Sequence, residues 1–174
     1  MSMMLLRLAL LVPVVAASAI LVTISGCVDS AASGAMQMET AHEVFPSATD
    51  MSKISIDRNV QESGRAGNPV VSEIRDSSGL LGYWVESEIV SRSGPFRIHI
   101  LLDEHFVVRR AAVISYPWPR GREIGRRSFV SQFEGKGPKD AIELDNDIDA
   151  VTGATISCDA MTRAVREVVK LLAE

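Results

Sequence analysis

Val70-Val71-Ser72-Glu73-Ile74-Arg75-Asp76-Ser77-Ser78-Gly79-Leu80-Leu81-Gly82-Tyr83-Trp84-Val85-Glu86-Ser87-Glu88-Ile89 decides the fold. The run from Val70 to Arg75 is β-rich, Asp76-Ser77-Ser78-Gly79 is a turn signal, and Leu81, Tyr83, Val85 and Ile89 then line up at period two. This is the pattern of a hairpin. Ser93-Gly94-Pro95 breaks its second strand, after which Phe96, Ile98, Ile100 and Leu102 alternate with Arg97, His99 and Leu101. The polar turn Asp103-Glu104-His105 leads into a strand from Phe106 to Ser115, completing an antiparallel meander. Tyr116 to Gly121 contains two prolines, which have no N–H to give a ladder, so the sheet ends there.

Outward from the meander the signals turn helical. Ser128 to Phe133 reads as a short helix, with Phe129, Val130 and Phe133 on one side and Gly135 and Gly137-Pro138 as stops. Ala160, Met161, Ala164, Val165, Val168, Leu171 and Leu172 recur at helical spacing and predict a C-terminal amphipathic helix. Upstream, Glu43 to Ala48 opens the folded part, and Met51 to Val60 alternates weakly, as a helix end or a strand would. Strands first and helices at the edges, without βαβ alternation, make an α+β domain: an antiparallel meander with flanking helices. There is no G-x-G-x-x-G and no Walker loop.

The 174 residues are 47% apolar, 23% charged and 5% aromatic, which suits one globular domain and argues against a multidomain enzyme. Residues 1–26 have a head bearing only Arg7, an uncharged apolar stretch from Leu8 to Ile24 and a small-residue end, as a secretory signal does. Leu21-Val22-Thr23-Ile24-Ser25-Gly26-Cys27 resembles the bacterial lipobox, in which the cysteine is lipidated and becomes the mature N-terminus. On that resemblance Cys27 is a lipid anchor. The other reading is a retained membrane helix, since a bilayer crossing needs ~20 apolar residues; Pro13 and Ala16-Ala17-Ser18 favour cleavage. Both put the rest of the chain on the extracytoplasmic, periplasmic side of a membrane. Residues 27–42, rich in Ser, Ala, Gly and Met and without periodicity, read as a flexible tether, leaving 43–174 as the folded domain.

Beyond residue 26 the chain carries 17 Lys and Arg against 22 Asp and Glu, a net charge of −5. Nucleic acid, whose phosphates demand a basic face, is excluded as a partner on that balance. Cys27 and Cys158 form no Cys-x-x-Cys pattern, which disfavours zinc, iron–sulfur and c-type haem sites. His42, His99 and His105 are scattered and read as solvated or core side chains, so no metal site is expected.

Chemistry concentrates in Asp149-Ala150-Val151-Thr152-Gly153-Ala154-Thr155-Ile156-Ser157, just before the terminal helix. Gly153 and Ala154 leave room for an unusual turn and close approach of a ligand. Thr155 and Ser157 bring hydroxyls to where a helix exposes unpaired N–H groups, a place that suits a phosphate. The same residues are also explained without a ligand, Ser157 as an N-cap and Gly153 as a turn residue.

This stretch is similar to the Asp-x-x-Ser/Thr-Gly-Ala-Thr-x-Ser/Thr signature of the FMN-binding domain, found in the G subunit of the Rnf electron-transport complex and the C subunit of the sodium-translocating NADH:quinone oxidoreductase. The likeness extends through Gly82-Tyr83, Phe129 to Phe133 and Gly135-Lys136, over roughly residues 43 to 172. It implies FMN bound covalently, through a phosphoester on the last threonine of the signature, Thr155, installed by an extracytoplasmic flavin transferase. Asp149, Thr152, Gly153, Ala154 and Ser157 would then form the surrounding cofactor site. Many relatives carry a Glu-Thr-Pro-Gly-Leu-Gly-like loop against the flavin. Here that region reads Arg122-Glu123-Ile124-Gly125-Arg126-Arg127, so only Glu123 and Gly125 correspond.

Thr155 is an unactivated hydroxyl with no histidine in its local sequence, so activation falls to the transferase. Asp149 is either read by that enzyme or its metal, or caps the turn. No carboxylate pair or Ser/His/Asp set stands at a suggestive spacing, so no catalytic residue is assigned. The expected role is an electron carrier between redox partner proteins, tied to a membrane complex or standing alone. A second hypothesis is a sensory or scaffold lipoprotein that holds FMN non-covalently, and a third a ligand-free adhesion lipoprotein. Arg120, Arg122, Arg126 and Arg127 form either a solvated loop or a docking site for acidic partners or lipid headgroups. Trp84 reads as buried packing and Trp118 as a Pro-flanked surface residue, or either as a flavin-stacking ring, and Cys158 as a packed residue or a redox thiol.

Overall fold

The computed structural model describes residues 28–56, 67 and 69–174; the stretch expected to be a signal segment and the expected lipidation site Cys27 lie outside the described residues. Five antiparallel strands pair in chain order: β1 (Asp50–Ile54), β2 (Val70–Asp76), β3 (Gly79–Ser91), β4 (Gly94–Asp103) and β5 (Val108–Ser115). The expected meander is therefore the fold's centre. Its register places Val71 opposite Val85, Val85 opposite Ile100, and Ile100 opposite Ala111, so apolar residues of neighbouring strands share one face. Met51 belongs to strand β1, which settles one half of the ambiguous segment; residues 57–60 lie outside the described residues.

The hairpin turn before β3 is fastened by Asp76, whose carboxylate accepts hydrogen bonds from the Ser78 hydroxyl, the Ser47 hydroxyl and the Ser78 and Gly79 N–H groups. Those bonds favour the ionised form and hold its pKa at about 2. The fifth strand starts at Val108 rather than Phe106. Phe106 takes φ 61°, donates its N–H to the Asp103 carbonyl and stacks its ring 5.2 Å from that of Tyr83.

Helix α3 (Thr155–Ala173) covers one sheet face with the expected stripe. Ala160, Met161, Ala164, Val165, Val168 and Val169 are buried against Val85, Ile89, Ile98 and Ile100. Fully burying a Val or Met side chain stabilises by roughly 1.5–3 kcal/mol, so this stripe, not helix propensity, fixes α3 on the sheet. The same core takes in Ile124 from a 3-10 turn (Arg122–Gly125), Phe129 and Val130 from α2 (Arg127–Val130), and Phe133. The short helix expected over Ser128 to Phe133 is thus one turn of α-helix continued by a 3-10 turn (Ser131–Phe133).

The other sheet face is also covered, and here the structure corrects the sequence reading. Residues 28–44, inside and just beyond the segment expected to be a flexible tether, form helix α1 (Val28–Val44). Ala41 is buried against Ile74, Trp84 and Leu101, with Met38, Val44 and Phe45 packed beside it, and Gln37 Nε2 donates to Glu86 at 2.6 Å. Its few apolar contacts are interspersed with Ser, Gly, Gln, Glu and Thr, so the helix carries little apolar periodicity for a pattern search to find.

Candidate functional site

Between β5 and α3 the chain runs through turns that return it to the β3–β4 end of the sheet. Phe133 and Lys136 frame a pair of bonds to the strand: Gly135 N–H donates to the Val108 carbonyl at 2.7 Å, and Val108 N–H to the Lys136 carbonyl at 2.8 Å. Lys136 Nζ pairs with Asp147 at 2.9 Å, and Asp147 also accepts the N–H groups of Ile142 and Glu143. Gln132 then clamps the main chain of Asp149, accepting its N–H at 2.7 Å and donating to its carbonyl at 3.2 Å. The nine-residue signature is thereby fixed at its first residue. The Asp149 carboxylate is exposed and caps no turn among the described residues, contrary to one of its two expected roles.

The signature turns at Val151–Ala154, where Ala154 N–H donates to the Val151 carbonyl at 3.0 Å. Gly153 has φ 86°, a left-handed conformation costly to any residue with a Cβ, and a Cβ there would touch nothing within 4 Å. Its need for glycine is conformational, and the surface over it is open. Thr152 is exposed, and Ala154 is buried at the N-cap position of α3 without a side-chain cap. Thr155, exposed, is the first helical residue. Ser157 N–H and Cys158 N–H both donate to the Ala154 carbonyl, while the N–H groups of Thr155 and Ile156 precede any intrahelical acceptor.

Ser157 corrects an expectation. It is neither the N-cap nor a presented hydroxyl: only 1% exposed, it lies 2.8 Å from the Tyr116 hydroxyl. Tyr116 donates its proton to the Arg120 carbonyl at 2.9 Å, so Ser157 is the donor to Tyr116. This chain of bonds straps the Arg120–Gly121 loop to the start of α3. Gly121 has φ 89°, and a Cβ there would run into the Tyr116 hydroxyl and press on that of Ser157.

A cleft of about 300 Å³ results, lined by Ser93, Arg120, Gly121, Gly153, Ala154, Thr155, Ile156 and Ser157. Four of the expected site residues meet here: Gly153, Ala154, Thr155 and Ser157. Glu123 and Gly125 do not line it, although they sit on the same loop; Arg120 and Gly121 take their place. Arg120 makes no ion pair among the described residues. By contrast Arg127 pairs with Glu134 at 2.8 Å, and Arg122 donates to the Trp118 carbonyl. Tyr116 and Gly121 escape sequence reading because Tyr116 acts through a partner 41 positions away and Gly121 through a backbone angle, and Ser93 because only the fold brings the β3–β4 turn to this cleft.

Neither the two tryptophans nor the second cysteine lines the cleft. Trp84 is 3% exposed beneath α1, and Trp118 donates its Nε1–H to the Pro95 carbonyl at 2.8 Å. Cys158 is fully buried, and burial pushes its thiol pKa up, so it stays protonated. Among the described residues no group of three or more His, Cys, Asp or Glu is placed to hold a metal ion.

This geometry fits the phosphate end of a nucleotide: a hydroxyl on an exposed helix start, two N–H groups without intrahelical acceptors, an open turn at Gly153 and a guanidinium in the same cleft. The family model for the FMN-binding domain matches residues 70–170, more than half of the chain, and the protein belongs to that family. It is an FMN-binding protein. No curated protein matches the chain.

Proposed function

We propose that this protein is an electron-transfer flavoprotein whose FMN is esterified to Thr155 and which Cys27 anchors at the extracytoplasmic face of a membrane. The observation that carries this reading is the divergence of two hydroxyls in one helical turn. Both residues line the cleft, but Thr155 is exposed to solvent, whereas Ser157 is buried with its hydroxyl bonded to Tyr116. In the attachment step a bond forms between Thr155 Oγ1 and the phosphorus of a flavin nucleotide while the bond from that phosphorus to the donor's leaving group breaks. The hydroxyl proton passes to a base of the transferase, since no described histidine or carboxylate is bonded to Thr155.

Once attached, FMN supplies one- and two-electron chemistry. The chain's own residues hold it. The N-terminus of α3 stabilises the remaining phosphodiester charge by ~0.3–1 kcal/mol, and Arg120 adds a cation from the loop side. Gly153 keeps the approach free of side chains. The cleft is open rather than enclosed, which suits exchange of electrons with partner proteins better than sequestration of a metabolite. Asp149, exposed and unbonded through its carboxylate among the described residues, is available for recognition by the transferase.

The test is export of the protein in a host with a flavin transferase, followed by denaturing electrophoresis under ultraviolet light. The native chain and Thr152→Ala keep a fluorescent band; Thr155→Ala loses it completely. Fluorescence retained by Thr155→Ala would remove the attachment point from this position, and flavin released by denaturing the native chain would favour a non-covalent binding module.

A further inference from the structure

Helices α1 and α3 lie on opposite faces of the sheet, yet both begin at the same end of the molecule. Along α1, Gln37 bonds to Glu86 and Ala41 packs on Trp84, while Phe45, just after it, lies against Gly82, so the helix runs antiparallel to β3. Ser33 and Gly34 line one hollow with Val70, the partner of Glu86 on β2. The nine residues from Gln37 back to Val28 span about 13 Å of helix, and the four residues of β3 from Glu86 to Val90 span about the same length. Val28 therefore stands level with Val90, at the entrance to the β3–β4 turn. On the other face Thr155 opens α3 beside Ser93 of that turn.

The side chains at this end are basic. Arg92 is exposed in the turn, Arg120 on the neighbouring loop, and Arg122, also exposed, donates to the Trp118 carbonyl; none of the three has a carboxylate partner among the described residues. Trp118 lays its partly exposed ring against Gly94 and donates Nε1–H to the Pro95 carbonyl. Of the nearby carboxylates, Asp159 is held by Arg163 at 2.7 Å and Glu123 is half-buried, leaving Glu88 exposed. The chain beyond residue 26 has a net charge of −5, so this end runs against the whole. Arginines around a half-exposed tryptophan suit an anionic lipid surface, which takes up both the charge and the amphipathic ring.

We propose that this end of the protein rests on the membrane, with Arg92, Arg120 and Arg122 against anionic phospholipid headgroups and α1 as the strut that holds it there. The proposal rests on lipidation of Cys27, which is bonded directly to the first residue of α1. A flexible tether would leave the domain free to turn over the bilayer, whereas a helix packed along the sheet fixes which end meets it. Thr155 then stands near the headgroups rather than at the far end of β3, whose 13 residues span about 40 Å.

The experiment places the full lipidated chain on vesicles whose headgroups carry a nitroxide and reads the quenching of a bimane attached at Pro117→Cys, beside Trp118, or at Ser77→Cys, in the β2–β3 turn at the opposite end. Both positions are exposed, and the native Cys158 is buried. On vesicles containing phosphatidylglycerol the label at position 117 is quenched and the label at position 77 is not. Arg92→Gln with Arg122→Gln lowers the docked-to-free ratio about thirtyfold, the worth of two arginines at an anionic surface. Arg120 is left in place because it also lines the Thr155 cleft. Arg92→Lys with Arg122→Lys, which keeps the charge, restores the quenching. Equal quenching of the two labels overturns the proposal, as does quenching at position 117 that persists unchanged in the Gln pair or on vesicles of phosphatidylcholine alone. A Lys pair that fails to restore it overturns the role of charge and the proposal with it. Protein that stays on the vesicles with neither label quenched turns the basic end toward an acidic protein instead, and also overturns the proposal. Protein that does not float with the vesicles at all overturns the lipid anchor, and this inference falls with it.

Discussion

His99 shows how a single side chain is decided by what packs around it. It lies on β4 with its ring centroid 4.5 Å from that of Trp84, and its Nε2 is buried without a hydrogen-bond partner among the described residues. Burial lowers its pKa from 6.5 to about 4; Glu86 works against that shift and Arg110 adds to it. The folded protein therefore binds fewer protons than the unfolded chain between those two values. Stability from this residue is fully present above pH 6.5 and is lost as the pH falls toward 4, by up to about 3 kcal/mol. Urea unfolding at a series of pH values should show that slope, and His99→Leu should flatten it across the same window. An unchanged slope in His99→Leu would assign the acid sensitivity to carboxylates instead. The sequence already places this histidine among alternating strand residues, as a core or solvated side chain. What it lacks is the other layer: only α1, packed over Trp84, closes the face on which His99 sits.

At the scale of elements, legibility follows the size of the periodic signal. The meander is plain in the sequence because Val85, Ile89, Ile98 and Ile100 repeat at period two, and α3 because its apolar stripe runs for four turns. Helix α1 is hidden, since its apolar residues do not repeat at helical spacing and its composition matches that of a linker. The strap between the loop and α3 is hidden for a different reason. Tyr116 and Ser157 are 41 positions apart, and a hydrogen bond between them leaves no trace in either residue's local pattern. The strap can be probed at Gly121, where alanine would be strained at φ 89°, would collide with the Tyr116 hydroxyl and would crowd that of Ser157. Gly121→Ala should cost about 1–3 kcal/mol in chemical denaturation and loosen the cleft wall beside Thr155. Native-like stability would mean that the loop can move aside without consequence.

For the molecule as a whole, the sheet serves as a two-sided scaffold, with α1 on one face and α3 on the other, that sets the start of α3 at the β3–β4 hairpin. The Asp149 to Ser157 signature is legible because it is a contiguous string; the cleft around it is not, because Ser93 and the Arg120–Gly121 pair come from two segments far from it in the chain. The remainder of the account depends on a bond at one oxygen. Trypsin cleaves after Lys139 and Arg163, so residues 140–163 form one peptide that contains Thr152, Thr155 and Ser157. The decisive measurement is fragmentation mass spectrometry of that peptide from protein matured with a flavin transferase. The account predicts a peptide heavier by FMN less one water, with the added mass localised to Thr155. A peptide of unmodified mass, or flavin found on Thr152 or Ser157, would contradict it.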